Sequence, residues 1–177
     1  MTNQRLSPEA RYGELVASEI SFLRRIALQI EKAPDEVDLF LDNPLFKKVL
    51  YGFHESCYEK VRLYEGIAYG DLGVLFTLPR PCLSGLFLKE IGSQQQIEEY
   101  IDFITTHRCR TFFAVTEPGV GSDAVNLSTT LSYSEQDHRF FLNGEKWLFG
   151  NAVSGKIGVV LARKSKGPLG LQGVLVK

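Results

Sequence analysis

The spacing of apolar residues changes once along this chain, near residue 110, and that change limits what it can fold into. Upstream, apolar positions recur at the three- and four-residue steps of a helix. Downstream they fall in short runs and weak alternations, separated by glycine, proline and asparagine, as strands do. This predicts an α+β protein with segregated elements: a helical domain over residues 1–110 and a β-domain over 111–177.

In the first half, Ser7-Pro8-Glu9 reads as the capped start of a helix with Tyr12, Leu15, Val16, Ile20, Leu23, Ala27 and Ile30 on one face. Lys32 and Pro34 mark its end. Asn43-Pro44 opens a second helix carrying Leu45, Phe46, Val49 and Leu50, and a third is expected over 55–69 with Val61, Tyr64 and Ala68 in period. Pro79 and Pro81 divide 72–91 into two helical pieces. Ser93 and Gln96 make a capping box for the last helix, whose inner stripe is Ile97, Ile101 and Ile104.

In the second half, strands are expected at 111–116, 127–133, 138–142, 146–149, 157–162 and 171–176. Asn143-Gly144 is a two-residue hairpin signal, and the whole reads as antiparallel. Val174, Leu175 and Val176 form an apolar strand that stops at Lys177, and an apolar edge wants a neighbour. A sheet this thin has little to cover its second face, so the chain is expected to be a fragment or one part of a split assembly.

Composition removes several classes of function. With 44% apolar and 23% charged residues the chain has enough apolar content for a core, which excludes global disorder. Twenty basic residues against twenty-one acidic ones leave a net charge of -1, which argues against a dedicated nucleic-acid or anionic-membrane binder. No apolar run is long enough to cross a bilayer, and residues 1–11 are polar without a secretory pattern. Cys57, Cys82 and Cys109 lie far apart and form neither a disulfide framework nor a zinc pattern, which suits a reducing cytoplasm. His54, His107 and His138 share no ligand spacing, so no metal site is expected.

Chemistry concentrates in two stretches. Residues 114–123 read AVTEPGVGSD: a strand enters a turn in which Pro118 fixes one backbone angle while Gly119 and Gly121 permit positive φ and close approach of a ligand. Consecutive N–H groups in such a turn form a concave anion site or bond a flat heterocycle, and Ser122 adds a hydroxyl donor. The alternative is a strand-ending turn whose Ser and Asp bond their own backbone. It is not a Walker loop, because no GK[ST] follows, nor a dinucleotide fingerprint, because no helix follows. The second stretch, LNGEKWLFGN at 142–151, carries the single Trp; it reads as an aromatic surface for a ring system or as a hairpin with core aromatics.

Taken in order, a helical half, TEPGVGSD, LNGEKWLFGN, an apolar strand ending in Ala162-Arg163, and GLQGVLV closely resemble the FAD-dependent acyl-CoA dehydrogenase family. That resemblance is sharp over 112–176. It implies an N-terminal helical bundle followed by an incomplete antiparallel β-barrel domain. The implied reaction is α,β-dehydrogenation of an acyl thioester, on coenzyme A or on a carrier protein. It also implies FAD as cofactor, a homo- or hetero-oligomer, and an electron-transfer protein or O2 as acceptor. By the same resemblance, Phe113, Val115 and Thr116 touch the flavin ring, Gly121 and Ser122 contact the FAD phosphates, Ser122 also contacts the thioester, and Leu148, Phe149 and Gly150 pass the ring's other edge.

The sequence departs from that pattern in places. Val120 stands where the family has a small residue, and its β-branched side chain narrows the approach. Leu148 aligns with the family's flavin-packing tryptophan, while Trp147 sits one place earlier, which on a strand means the opposite face. Gly150 aligns with a threonine near flavin N5, and a PxxxGG loop between early helices is missing. The family's C-terminal helices carry its catalytic base; no acid of this chain is assigned that role, and Glu117 is read as structural. Two other readings stand beside the dehydrogenase: a non-catalytic subunit of a split or heteromeric enzyme, and a flavin oxidase or monooxygenase on the same fold.

Overall fold

A computed structural model describes residues 7–177; the polar stretch 1–6 lies outside the described residues. The chain forms two compact units, one ending at Arg80 and one spanning Pro81–Lys177.

The first unit is helical. Ser7 caps α1 (Pro8–Tyr12) by accepting from Ala10 N–H, but the single long helix expected from the periodicity is broken at Gly13, whose φ of 89° lies outside the helical range. Helix α2 (Glu14–Lys32) follows and buries Val16, Ile20, Leu23, Ile26 and Ile30. After a 3-10 stretch at Pro34–Phe40, α3 (Pro44–Tyr51) starts as predicted, with Asn43 accepting from Leu45 N–H at 2.8 Å and Pro44 in its first turn. Helix α4 (Cys57–Thr77) is capped by Ser56 and is longer than the sequence suggested. Its buried face is Leu63, Gly66, Ile67 and Val74, which shares a core with Val16, Leu23, Ile26 and Ile30 of α2, whereas Val61 is 57% exposed. A Cβ at Gly70 would stand 2.8 Å from Leu23 Cβ, and one at Gly66 2.3 Å from Val16 Cγ1, so the two helices cross nearly backbone to backbone. Asp71 leaves helical geometry (φ −162°, ψ 125°) and its carboxylate re-caps the second half by accepting from Val74 N–H at 2.9 Å.

The second unit places two helices against a sheet. Pro79 and Pro81 interrupt the chain as expected before α5 (Leu83–Ile91), and the Ser93–Gln96 capping box starts α6 (Gln94–His107). Strands β1 (Arg110–Ala114), β2 (Thr130–Ser134), β3 (Arg139–Asn143), β4 (Gly155–Arg163) and β5 (Leu171–Val176) form one five-stranded sheet. The change from helix to strand falls where the periodicity placed it. Leu88, Tyr100 and Ile104 of the helices pack with Ile157 and Val159 of β4, and Phe87 and Phe113 flank that core.

The sheet differs from the antiparallel one expected. It is mixed and open: β4 pairs parallel with β1 and touches β2 in parallel at Thr130↔Arg163, while β2–β3 and β4–β5 are antiparallel. The continuous apolar run of β4 explains its central place, since a strand covered on both faces and paired on both edges shows no alternation. The Asn143-Gly144 hairpin does not form. The β2–β3 turn lies at 135–138, where Ser134 Oγ and Asp137 Oδ2 are 2.8 Å apart. Gly144 instead lies against Thr129, whose Oγ1 would be 2.3 Å from an added Cβ. No strand forms at 146–149 either, because Leu148 and Asn151 turn left-handed (φ 52° and 60°) and Lys146 points inward.

Candidate functional site

The turn at 117–120 closes on itself with reciprocal Glu117 and Val120 N–H···O bonds of 3.1 Å. Pro118 in its second position and Gly119 in its third, at φ 82°, meet what a type II turn requires. Gly121 keeps an ordinary φ, so positive φ is used at one of the two glycines rather than both. What Gly121 contributes is space: a Cβ there, or at Gly119, would meet nothing within 4 Å. Ser122 is exposed and has no hydrogen bond among the described residues.

Behind the turn, Glu117 is 1% exposed and its two oxygens accept from four groups. Lys146 Nζ lies 2.6 Å away and Thr129 N–H donates at 2.9 Å, while Ser128 donates from both its N–H and its hydroxyl. Burial alone would push this carboxyl up, but the bonds from Lys146, Ser128 and Thr129 outweigh it and hold it well below the usual carboxylate range. Lys146 also donates to the carbonyl of Val115 at 2.9 Å. Taking an ion pair out of water costs several kcal/mol, on the order of what its attraction returns, so such a pair survives only when its remaining bonds are made, as they are here.

This pair joins the two stretches singled out in the sequence. Trp147 N–H donates to Thr116 O at 3.0 Å, the rings of Phe149 and Phe112 are 6.0 Å apart, and Asn151 Nδ2 donates to Thr111 O at 2.9 Å. The segment 146–151 thus runs in the opposite direction alongside 111–117. Val115, Thr116, Leu148, Phe149 and Gly150 come together on this double line. Gly121 and Ser122 stand beyond the turn, on its open side. Phe113 is not brought to the loop: its side chain lies 5.5 Å from Phe87 of α5, in the core under the helices. Because 146–149 is not a strand, alternation does not govern Trp147, and Trp147 and Leu148 are both exposed, at 45% and 84%.

Two positioning residues were not singled out in the sequence as site residues, Lys146 and Asn151. The available signal was a glutamate in the first motif and a Glu145-Lys146 pair in the second, a pattern that sequence spacing cannot pair by itself. Among the described residues no group of His, Cys, Asp and Glu could hold a metal ion, and no helix is long and apolar enough to cross a membrane.

Helices followed by an open mixed sheet, with the two motifs held side by side, define the acyl-CoA dehydrogenase fold. Residues 112–177 match the acyl-CoA dehydrogenase middle domain. The chain is similar to the caffeyl-CoA reductase–Etf complex subunit CarC of Acetobacterium woodii, 33% identical over 122 residues that cover 68% of this chain and 30% of CarC. It superposes on an electron-transferring flavoprotein structure from Acidaminococcus fermentans with a TM-score of 0.74 at 20% identity, covering 100% of this chain and 49% of that one. An acyl-CoA dehydrogenase from Bacillus anthracis, complexed with FAD, superposes with a TM-score of 0.61 at 18% identity, over 90% of this chain and 31% of that one. Residues 112–177 thus fall in the acyl-CoA dehydrogenase middle-domain family, and the chain spans less than half the length of these relatives.

Proposed function

We propose that this chain forms part of an FAD-dependent oxidoreductase that introduces an α,β double bond into an acyl thioester. In this reading residues 1–110 are the N-terminal helical domain and 111–177 the middle β-domain. The observation that carries it is the juxtaposition of 115–117 with 146–147, locked by the buried Glu117–Lys146 pair beside an open glycine turn.

The residues present fit FAD. The N–H and hydroxyl of Thr116 have no partner among the described residues, the corner at Gly121 has room, and Trp147 and Leu148 offer exposed apolar surface beside it. Thr116, with Val115 and the backbone of Phe113, would hold the flavin ring; Gly121 and Ser122 would take the phosphates, Ser122 would also touch the thioester, and Leu148, Phe149 and Gly150 would line the other edge. FAD supplies a hydride acceptor, and the protein's part is to hold fixed donors against it and keep water from the acyl chain. No acid of the chain is placed as the base. The thioester is carried on coenzyme A or a carrier protein, and the acceptor is an electron-transfer protein or O2. CarC's membership of an Etf complex favours the former. A homo- or hetero-oligomer and action in fatty acid metabolism complete the reading.

The test is to add FAD to the purified chain, follow flavin fluorescence, and then add acyl-CoA thioesters. Quenching without bleaching is expected. Prompt bleaching would show that the base lies within these 177 residues and overturn that part of the proposal.

A further inference from the structure

We propose that Lys146 is a positioning residue that acts through the Val115–Thr116 peptide to make the Thr116 N–H a stronger hydrogen-bond donor toward the flavin. This rests on the FAD reading above and goes beyond it, because Lys146 is not among the residues that reading places against the flavin.

Lys146 Nζ donates to Val115 O at 2.9 Å and is held there by Glu117 at 2.6 Å, with the lysine side chain 8% exposed. The described chain has no cis peptide, so the Thr116 N–H points away from the carbonyl that Lys146 grips, to the other side of the chain. An ammonium on a peptide oxygen draws electron density through the C–N bond and leaves the N–H more polar, as hydrogen-bonded chains polarise one another. The effect is largest where water is excluded, and here both charges are buried. The Thr116 N–H has no partner among the described residues, whereas both oxygens of Glu117 are satisfied. Glu117 keeps the pair neutral as a whole, so the benefit reaches the ligand as an oriented dipole rather than as net charge. Trp147 N–H, on Thr116 O at 3.0 Å, fixes the next peptide plane.

A purely structural ion pair would hold the loop and leave the donor strength of one amide unchanged, so the test reads that amide. Lys146→Met alone strands a buried carboxylate and risks the fold; Lys146→Met with Glu117→Gln removes both charges at once. Far-ultraviolet circular dichroism and Trp147 emission report whether the loop survives. In the folded double variant the Thr116 amide proton resonance is expected to move upfield, with neighbouring β-unit amides little changed. The FAD dissociation constant is expected to rise about threefold to tenfold, the worth of one weakened hydrogen bond. The midpoint potential of the bound flavin is expected to fall. Lys146→Gln, which keeps a neutral donor, should lie between. If wild type binds FAD and the double variant matches it in amide shift, affinity and potential, the role of Lys146 is overturned and the FAD reading stands. If wild type fails to bind FAD while the Thr116 amide still moves, the relay stands and the FAD reading falls.

Discussion

Glu117 shows what a single buried charge does in this protein. Its folded-state pKa is depressed, so the stability it contributes is present above the ordinary carboxylate pKa of about 4.3 and is lost as pH falls below that value toward the folded pKa. Wild type should therefore lose stability through that acid range, read by Trp147 emission in urea titrations. Glu117→Gln should be less stable at neutral pH and show a flatter acid limb; an unchanged limb would mean the carboxylate is not the linked group. Glu117→Ala should cost about 3 kcal/mol at neutral pH, because it leaves the Lys146 ammonium buried and unpaired. The structural role of Glu117 was legible from its place in a tight Pro-Gly turn. Its partner was not, since twenty-odd residues of chain and a whole hairpin separate the turn from Lys146.

Among the elements, the capped helices were the most legible. Ser7, Asn43 and Ser93 cap where their local sequence says, because a cap bonds N–H groups only two or three residues away. Helix length and facing were less so. Gly13 and Asp71 break helical geometry, and the α2–α4 crossing depends on close approach at Gly66 and Gly70, which carry no hydrophobic signal. Gly70→Ala should be destabilising by about 1–3 kcal/mol, since its Cβ would collide with Leu23 and α4 would have to shift. Urea unfolding followed at 222 nm checks this, and a stability gain, as helix propensity alone would give, would show that the helices cross less closely than described. Strand errors had a different origin. Asn143-Gly144 carries the right hairpin residues, but Gly144 is drawn into close approach with Thr129, a contact set by the sheet and not by the dipeptide.

At the level of the whole chain, each unit has its own core, and the second leaves much of its sheet uncovered. Phe140 is 61% exposed and Tyr133 45%, and among the described residues the outer edges of β3 and β5 pair with no further strand. Exposed apolar edges template association. The chain should show concentration-dependent association in sedimentation velocity, and Phe140→Lys should reduce it while leaving the circular dichroism spectrum unchanged. A monodisperse wild-type monomer at high concentration would mean these edges are inert.

Residues close in sequence, and their chemistry, settled the order of helices and strands, the caps, the proline break before α5 and the two motifs through which the family is recognised. These are local properties, decided by backbone sterics and by hydrogen bonds within a turn. The tertiary structure alone decided that β4 lies at the centre of a mixed sheet, that 146–149 is a loop rather than a strand, and that Lys146 reaches Glu117. Each of those depends on which groups are taken out of water together, and desolvation is a property of the packed chain that no stretch of sequence carries by itself.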